Sequence, residues 1–287
     1  MHKRLTLFIC LLPLLVFGQN EVATTDTLKP QSTPEINSQL EKYRGEGSIE
    51  STPLNQVGIM HLQSVYSDNI KTIGQTSVQY LRKSKDLNWT FIGRVTMRNR
   101  VDQESFKYTF ETYLKHGKKS YSFAGISFSD QKLFPKFEAN YSLYNSFDKG
   151  WELETGAKFL SAENFSLFTP IVGLSKELAT SRITLRNYLT FAESSMYYGN
   201  SLTWKEFLND NRDNISVMTG FGNGPDSKSL DFTQEFITNK TFFVGIGGEK
   251  KIKPFTLSAS TVFNTNNYST GQRFNQFDFY LNLFYDF

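Results

Sequence analysis

The side chains able to do chemistry are few, and their spacing is informative. Three histidines occur, His2, His61 and His116. Hydrolysis by an activated nucleophile needs a His base beside a Ser or Asp, with a third group to orient it. His2 stands in a basic N-terminal stretch and His116 in a tight reversal, His116-Gly117-Lys118. His61 sits mid-way along an alternating run, where an interior hydrogen bond is expected of it. Cys10, the one cysteine, lies in an apolar stretch near the N-terminus, so neither a disulfide nor thiolate chemistry is expected. No His pair, Cys pair or acidic calcium-type loop stands at metal-binding spacing, so no metal and no cofactor are expected. Glu152 and Glu154 have the spacing of a carboxylate pair for acid–base work. Beside Lys158 they read first as an internal salt network. Asn223-Gly224-Pro225-Asp226 lacks the Lys-Ser/Thr and following helix of a phosphate loop. The Asn-x-Ser/Thr triplets at Asn88, Asn140 and Asn267 fall partly inside strand-like runs and read as compositional. The chain is expected not to be an enzyme.

The elements that carry these residues are strands. His2-Lys3-Arg4, the apolar run Leu5 to Phe17 and Val16-Phe17-Gly18 read as a signal peptide over residues 1–18. Residues 19–55 are polar, without an apolar period, and read as a disordered periplasmic tail. Loss of Lys3 and Arg4 reduces 31 basic residues to 29 against 28 acidic ones. That near balance argues against nucleic acid as a partner. From residue 56 to residue 287 the pattern is one of period-two alternation, without a linker, and so reads as one domain. Phe277, Phe279, Leu281, Leu283, Tyr285 and Phe287 share one face. Asp278, Tyr280, Asn282, Phe284 and Asp286 share the other. Trp89, Phe91, Gly93, Val95 and Met97 alternate with Thr90, Ile92, Arg94, Thr96 and Arg98. Tight reversals separate such runs. Asp148-Lys149-Gly150 suits a three-residue hairpin with glycine in its last position. Counting runs gives about 14 strands, within a range of roughly 12 to 16. Leu230–Phe236 alternates weakly and is placed in a long loop.

An all-β, up-and-down antiparallel barrel crossing a membrane fits this pattern better than a soluble sandwich. The runs are about ten to thirteen residues long, against the roughly 9–11 that a tilted strand needs to cross a bilayer and the five or six usual in soluble sheets. Charged residues occupy the face opposite the aromatics, where a polar lumen accepts them. A midplane Arg or Lys facing lipid would cost about 2–4 kcal/mol. Hairpin follows hairpin, which closes the sheet and satisfies every backbone group. Arg94, Arg98, Lys107, Glu111, Lys115, Glu152, Glu154 and Lys158 form the expected lumen lining, with Arg94 roughly opposite Glu111. An even strand count puts both ends at the periplasm. Trp89, Trp151, Trp204 and Phe287 then form an aromatic girdle at that rim. The last strand is expected to pair with the first near residues 57–67.

Leu133-Phe134-Pro135, followed by Phe137-Glu138-Ala139-Asn140-Tyr141-Ser142-Leu143-Tyr144 and by Gly150-Trp151-Glu152 with Gly156, resembles the YaiO-type family of outer-membrane barrels. Phe221-Gly222 with Gly224-Pro225-Asp226 is similar to that family's Gly-rich turn. The likeness covers roughly residues 56 to 287. It implies a Gram-negative outer-membrane location, outer-membrane lipid as surroundings, and insertion by the barrel-assembly machinery. It implies no substrate. Two functions fit: a porin-like passage for a small solute or an exported glycan, and a structural barrel plugged by its own side chains that anchors a partner or displays loops. Asn223–Asn239 alone looks long enough to fold inward as a constriction.

Overall fold

The computed structural model describes residues 54–67, 72–100, 103–130, 133–163, 165–192, 195–208, 213–225 and 238–287. The signal-peptide and tail readings, and the weak run Leu230–Phe236, lie outside them. Fourteen strands follow in order: β1 (Asn55–Tyr66), β2 (Ile73–Lys83), β3 (Trp89–Arg100), β4 (Gln103–Lys115), β5 (Ser120–Ser129), β6 (Phe137–Phe147), β7 (Trp151–Ser161), β8 (Ser166–Glu177), β9 (Ser181–Ala192), β10 (Ser195–Phe207), β11 (Asn214–Pro225), β12 (Thr238–Ile252), β13 (Phe255–Tyr268) and β14 (Arg273–Asp286). Each pairs antiparallel with its sequence neighbours, and β1 pairs with β14 to close the barrel. Val57 stands opposite Tyr285 and Val65 opposite Phe277. Beyond β14, the Phe287 N–H donates to Asn55 O at 2.9 Å, and the Asn55 N–H donates back at 3.1 Å.

Closure leaves no sheet edge, so backbone donors and acceptors in the wall are paired without water. Side chains then divide by parity. On β14 the odd-numbered Phe277, Phe279, Leu281, Leu283 and Tyr285 point outward and are exposed, while Asp278, Tyr280, Asn282 and Phe284 are buried inside. The outer surface is apolar all the way round, with Val78, Phe106, Phe128, Val172, Leu202 and Ile246 exposed on six different strands. Water-soluble monomers rarely expose apolar patches beyond a few hundred Å².

Leu62, Met218, Phe243, Val262 and Tyr280 pack into an apolar cluster on the β11–β14 and β1 side. Over β2 to β9 polar stretches alternate with two smaller clusters, Tyr121, Phe123 and Tyr144 on β5–β6 and Leu160, Leu167 and Ala192 on β7–β9. Hydroxyl pairs join neighbouring strands there, Ser77 with Thr96 at 2.9 Å, Thr109 with Ser127 at 3.0 Å and Thr169 with Thr190 at 2.8 Å.

The turns between even and odd strands gather at the end where β1 starts and β14 finishes, here called the terminal end. The Asp148–Gly150 turn joins Phe147 to its register partner Trp151. Lys149 (φ 64°) and Gly150 (φ 75°) both adopt left-handed backbone there. A Cβ on Gly150 would stand 2.7 Å from Glu177 O, so glycine answers two demands at once.

Candidate functional site

The sequence-derived set sits on the inner wall, where parity places it. Arg94 is in register with Thr109, so it meets Glu111 on the diagonal: Arg94 Nη2 donates to Glu111 Oε2 at 3.0 Å. Arg94 Nε and Nη2 also donate to Gln79 Oε1, at 3.1 and 3.0 Å, which fixes the guanidinium plane. Lys107 Nζ pairs with Glu138 Oε2 at 3.3 Å. Lys115 stands on the interior parity of β4, at its terminal end and opposite Tyr121.

Glu152 and Glu154 are buried ion-pair partners, and two arginines the sequence reading did not name join them. Glu152 pairs with Arg182, and Glu154 Oε2 accepts from Arg186 Nε at 2.7 Å. Both arginines come from β9, on the far side of β8. The intervening residue explains the reach. Glu154 is in register with Gly173, and Gly173 with Arg186. A Cβ on Gly173 would stand 2.9 Å from Glu154 Oε2 and 3.2 Å from Arg186 Cγ. Glycine therefore opens the gap through which the pair meets. Glu154 Oε1 also accepts from Tyr144 Oη at 2.7 Å and Ser142 Oγ at 3.0 Å, so the carboxylate is well satisfied. Tyr144 stacks on Tyr121 with centroids 4.5 Å apart. Alternation with Ile183 and Leu185 turns Arg182 and Arg186 inward, but no sequence periodicity links residues about thirty apart across an intervening strand, so their pairing could not be read from the sequence.

The expected inward constriction, Asn223–Asn239, lies for the most part outside the described residues: β11 extends to Pro225 and β12 begins at Thr238. Among the described residues, Leu133-Phe134 after β5 enters the barrel: Leu133 is 0% exposed and Phe134 2%. Arg98 holds both, donating to Leu133 O at 2.6 Å and covering the Phe134 ring at 4.2 Å. Lys107 Nζ lies 5.0 Å from the same ring. Such cation–π contacts strengthen when water is excluded. Ser129 Oγ donates to Pro135 O at 2.8 Å and closes the loop base.

The histidines do not converge. His61 faces outward, contrary to the interior hydrogen bond expected of it. It has the parity of Val57, Ile59 and Val65, and its Nδ1 lies 3.0 Å from Thr76 Oγ1. His116, at the terminal end, places Nε2 2.7 Å from Ser122 Oγ. Among the described residues no three His, Cys, Asp or Glu side chains gather as metal ligands. Trp89 and Trp151 open β3 and β7, and Trp204 lies near the end of β10. All three are exposed at the terminal end, as is Phe287. Lys176 Nζ sits 4.9 Å over the Trp151 ring. In the exposed turn there, Lys119 donates to Asp148 at 2.7 Å, and this hydrogen bond and charge hold the carboxyl below the usual range.

The model of the YaiO membrane β-barrel domain matches residues 54–227, more than half of the chain. The chain belongs to the YaiO membrane β-barrel family. It is an integral β-barrel of the bacterial outer membrane, and the exposed apolar belt faces lipid. No curated protein matches it. Solved structures similar to this YaiO-family barrel include a protein titled a bacterial polysaccharide outer membrane secretin, 9% identical, covering 83% of this chain and 100% of that one with a TM-score of 0.55. Omp33 of Acinetobacter baumannii is 13% identical, with 83% and 100% covered and a TM-score of 0.47. The KdgM porin is 11% identical, with 80% and 99% covered and a TM-score of 0.43. Likenesses this remote speak to the fold. The family match spans β1 to β11, and β12–β14 complete the ring of the YaiO-family barrel.

Proposed function

We propose that this barrel is a non-enzymatic passage for a polar solute, narrowed from the far mouth by Leu133-Phe134. The observation that supports it is the track of paired charges along the inner wall. Lys107–Glu138, Arg94–Glu111, Glu154–Arg186 and Glu152–Arg182 follow one another from the far mouth toward the terminal end. Fixed pairs of opposite sign offer a polar solute hydrogen bonds along its whole route while presenting little net charge. The polysaccharide secretin of similar fold makes a glycan the first solute class to test. Arg94, Arg98, Lys107, Glu111, Lys115, Glu152, Glu154 and Lys158 are the residues proposed to line the route. With the terminal end at the periplasm, Trp89, Trp151, Trp204 and Phe287 anchor the inner rim in lipid. The exposed terminal aromatic on the closing strand is proposed as the signal that the barrel-assembly machinery reads.

Purified protein in a planar bilayer tests the passage. Ion conductance is expected, and it should change in ion selectivity when Arg94 and Arg98 are both replaced by Glu. A folded barrel that stays silent would overturn the reading. One observation favours the plugged-barrel alternative: the interior cluster of Leu62, Met218, Phe243, Val262 and Tyr280 occupies one side of the lumen. Silence in the bilayer would support it.

A further inference from the structure

A second interior cluster stands near the far mouth, away from the ion-pair track. Alternation on β12, β13 and β14 places Asn239, Thr241, Asn264, Asn266, Gln276 and Asp278 on one stretch of inner wall. Asp278 is wholly buried. Its carboxylate accepts from Ser64 Oγ at 2.5 Å, Gln276 Nε2 at 2.6 Å and Asn264 Nδ2 at 3.1 Å. Asn266 Oδ1 accepts from Asn239 Nδ2 at 2.8 Å and Thr241 Oγ1 at 3.1 Å. Three further atoms of this wall are buried and have no hydrogen-bond partner: Asn239 Oδ1, Asn264 Oδ1 and Asn266 Nδ2. Natural proteins leave few such atoms, so three on neighbouring residues call for a reason. Beyond them, at the mouth, stand three half-buried rings. Tyr66 meets Phe274 edge-on at 5.6 Å, and Tyr268 stacks on Phe274 at 5.0 Å.

The unmatched atoms are one donor and two acceptors, all neutral. An anion would need several donors and would meet the Asp278 carboxylate. A bare cation would find only two amide oxygens beyond a carboxylate that already accepts three hydrogen bonds. A hydroxyl both donates and accepts. Neighbouring hydroxyls on one sugar ring offer both roles at once, and the C–H face of that ring packs on aromatic side chains. We propose that the inner wall of β12–β14 at the far mouth is a subsite for a neutral sugar unit of a glycan chain. This deepens the passage reading and rests on it for the route, while binding itself is independent of conduction.

The test uses the full chain folded in detergent micelles, titrated with maltohexaose, cellohexaose and chitohexaose under saturation-transfer NMR. At least one should bind saturably. Asn266→Ala should weaken it about tenfold, the loss expected for one buried hydrogen bond. Asn266→Asp keeps the size and removes the donor, and should weaken binding equally if the alanine variant does not fold. Phe274→Leu should weaken binding while Phe274→Tyr preserves it. Tyr108→Phe, on the outer face, should leave it unchanged. Gel mobility without boiling reports folding of each variant. Absence of binding by all three sugars, or binding indifferent to both the Asn266 and Phe274 variants, overturns the subsite. Conductance measured on the same preparation separates the two ideas: conduction without sugar binding removes only the subsite, and binding without conduction removes only the passage.

Discussion

Arg186→Met takes from Glu154 the guanidinium that donates to it and leaves the carboxylate in the wall with the hydroxyl donors Ser142 and Tyr144. The pair is sheltered, with side chains 9% and 8% exposed, so water replaces little of what is lost. Removing one partner of a buried ion pair costs about 3–5 kcal/mol, because the remaining charge is left uncompensated. The two hydroxyls place this case at the lower end, about 3 kcal/mol, more than a hundredfold in the unfolding equilibrium. Glu154→Gln leaves the arginine in the same position and should cost a similar amount. In the double variant Glu154→Gln/Arg186→Met neither member of the pair is charged, and the loss should fall well short of the sum, with a coupling of about 1–3 kcal/mol. The assay is urea unfolding of the barrel refolded in lipid vesicles, followed by the fluorescence of Trp89, Trp151 and Trp204 and by gel mobility. Single losses below about 0.5 kcal/mol with strict additivity would refute the reasoning. They would mean that lumen water solvates both charges and that the pair does not hold the wall.

Gly173→Val inserts atoms between Glu154 and Arg186 and should cost about 1–3 kcal/mol by overpacking. Gly117→Ala, where an added Cβ meets nothing within 4 Å, should stay within about 0.5 kcal/mol in the same unfolding assay. Arg98→Ala removes the hydrogen bond to Leu133 O and the cation over Phe134. Single-channel conductance should rise, and the 130–136 loop should become cleavable by added protease; unchanged values for both would show that Arg98 does not pin the loop. Asp148 is held ionised by Lys119, so its folded pKa lies below its unfolded one of about 3.9. Its contribution is present above the unfolded pKa and is lost as pH falls through the folded value. Carboxyl NMR should show that low midpoint, and Lys119→Ala should return it to the ordinary range; a midpoint that does not move would sink the assignment.

Much of the architecture was legible in the residues, because a strand has a period of two. Once Phe277 to Phe287 are assigned to the outer face, the intervening Asp278, Tyr280 and Asn282 must face inward, and the count of about 14 runs matches fourteen strands. The family match, over residues 54–227, takes in Leu133-Phe134-Pro135 and Gly150-Trp151-Glu152 and stops short of the last three strands. His61 was misread although its signal was present: it shares the parity of Val57 and Ile59, and parity alone turns it outward. Loop behaviour was not legible. Leu133-Phe134-Pro135 has no periodicity, and its entry into the lumen depends on Arg98 and Lys107, which belong to strands brought beside it by the closed sheet.

Alternation therefore determined the strands and their faces, and with run length and the charges opposite the aromatics it determined the membrane location, since these follow from what each residue adjoins along the chain. Register and closure decided which interior groups meet. Glu154 finds Arg186 across the glycine of a third strand, and Asp278 of β14 finds Ser64 of β1 only because the last strand returns to the first. Such contacts depend on stagger between strands and on side-chain reach across the lumen, and neither is encoded in the spacing of residues within one strand.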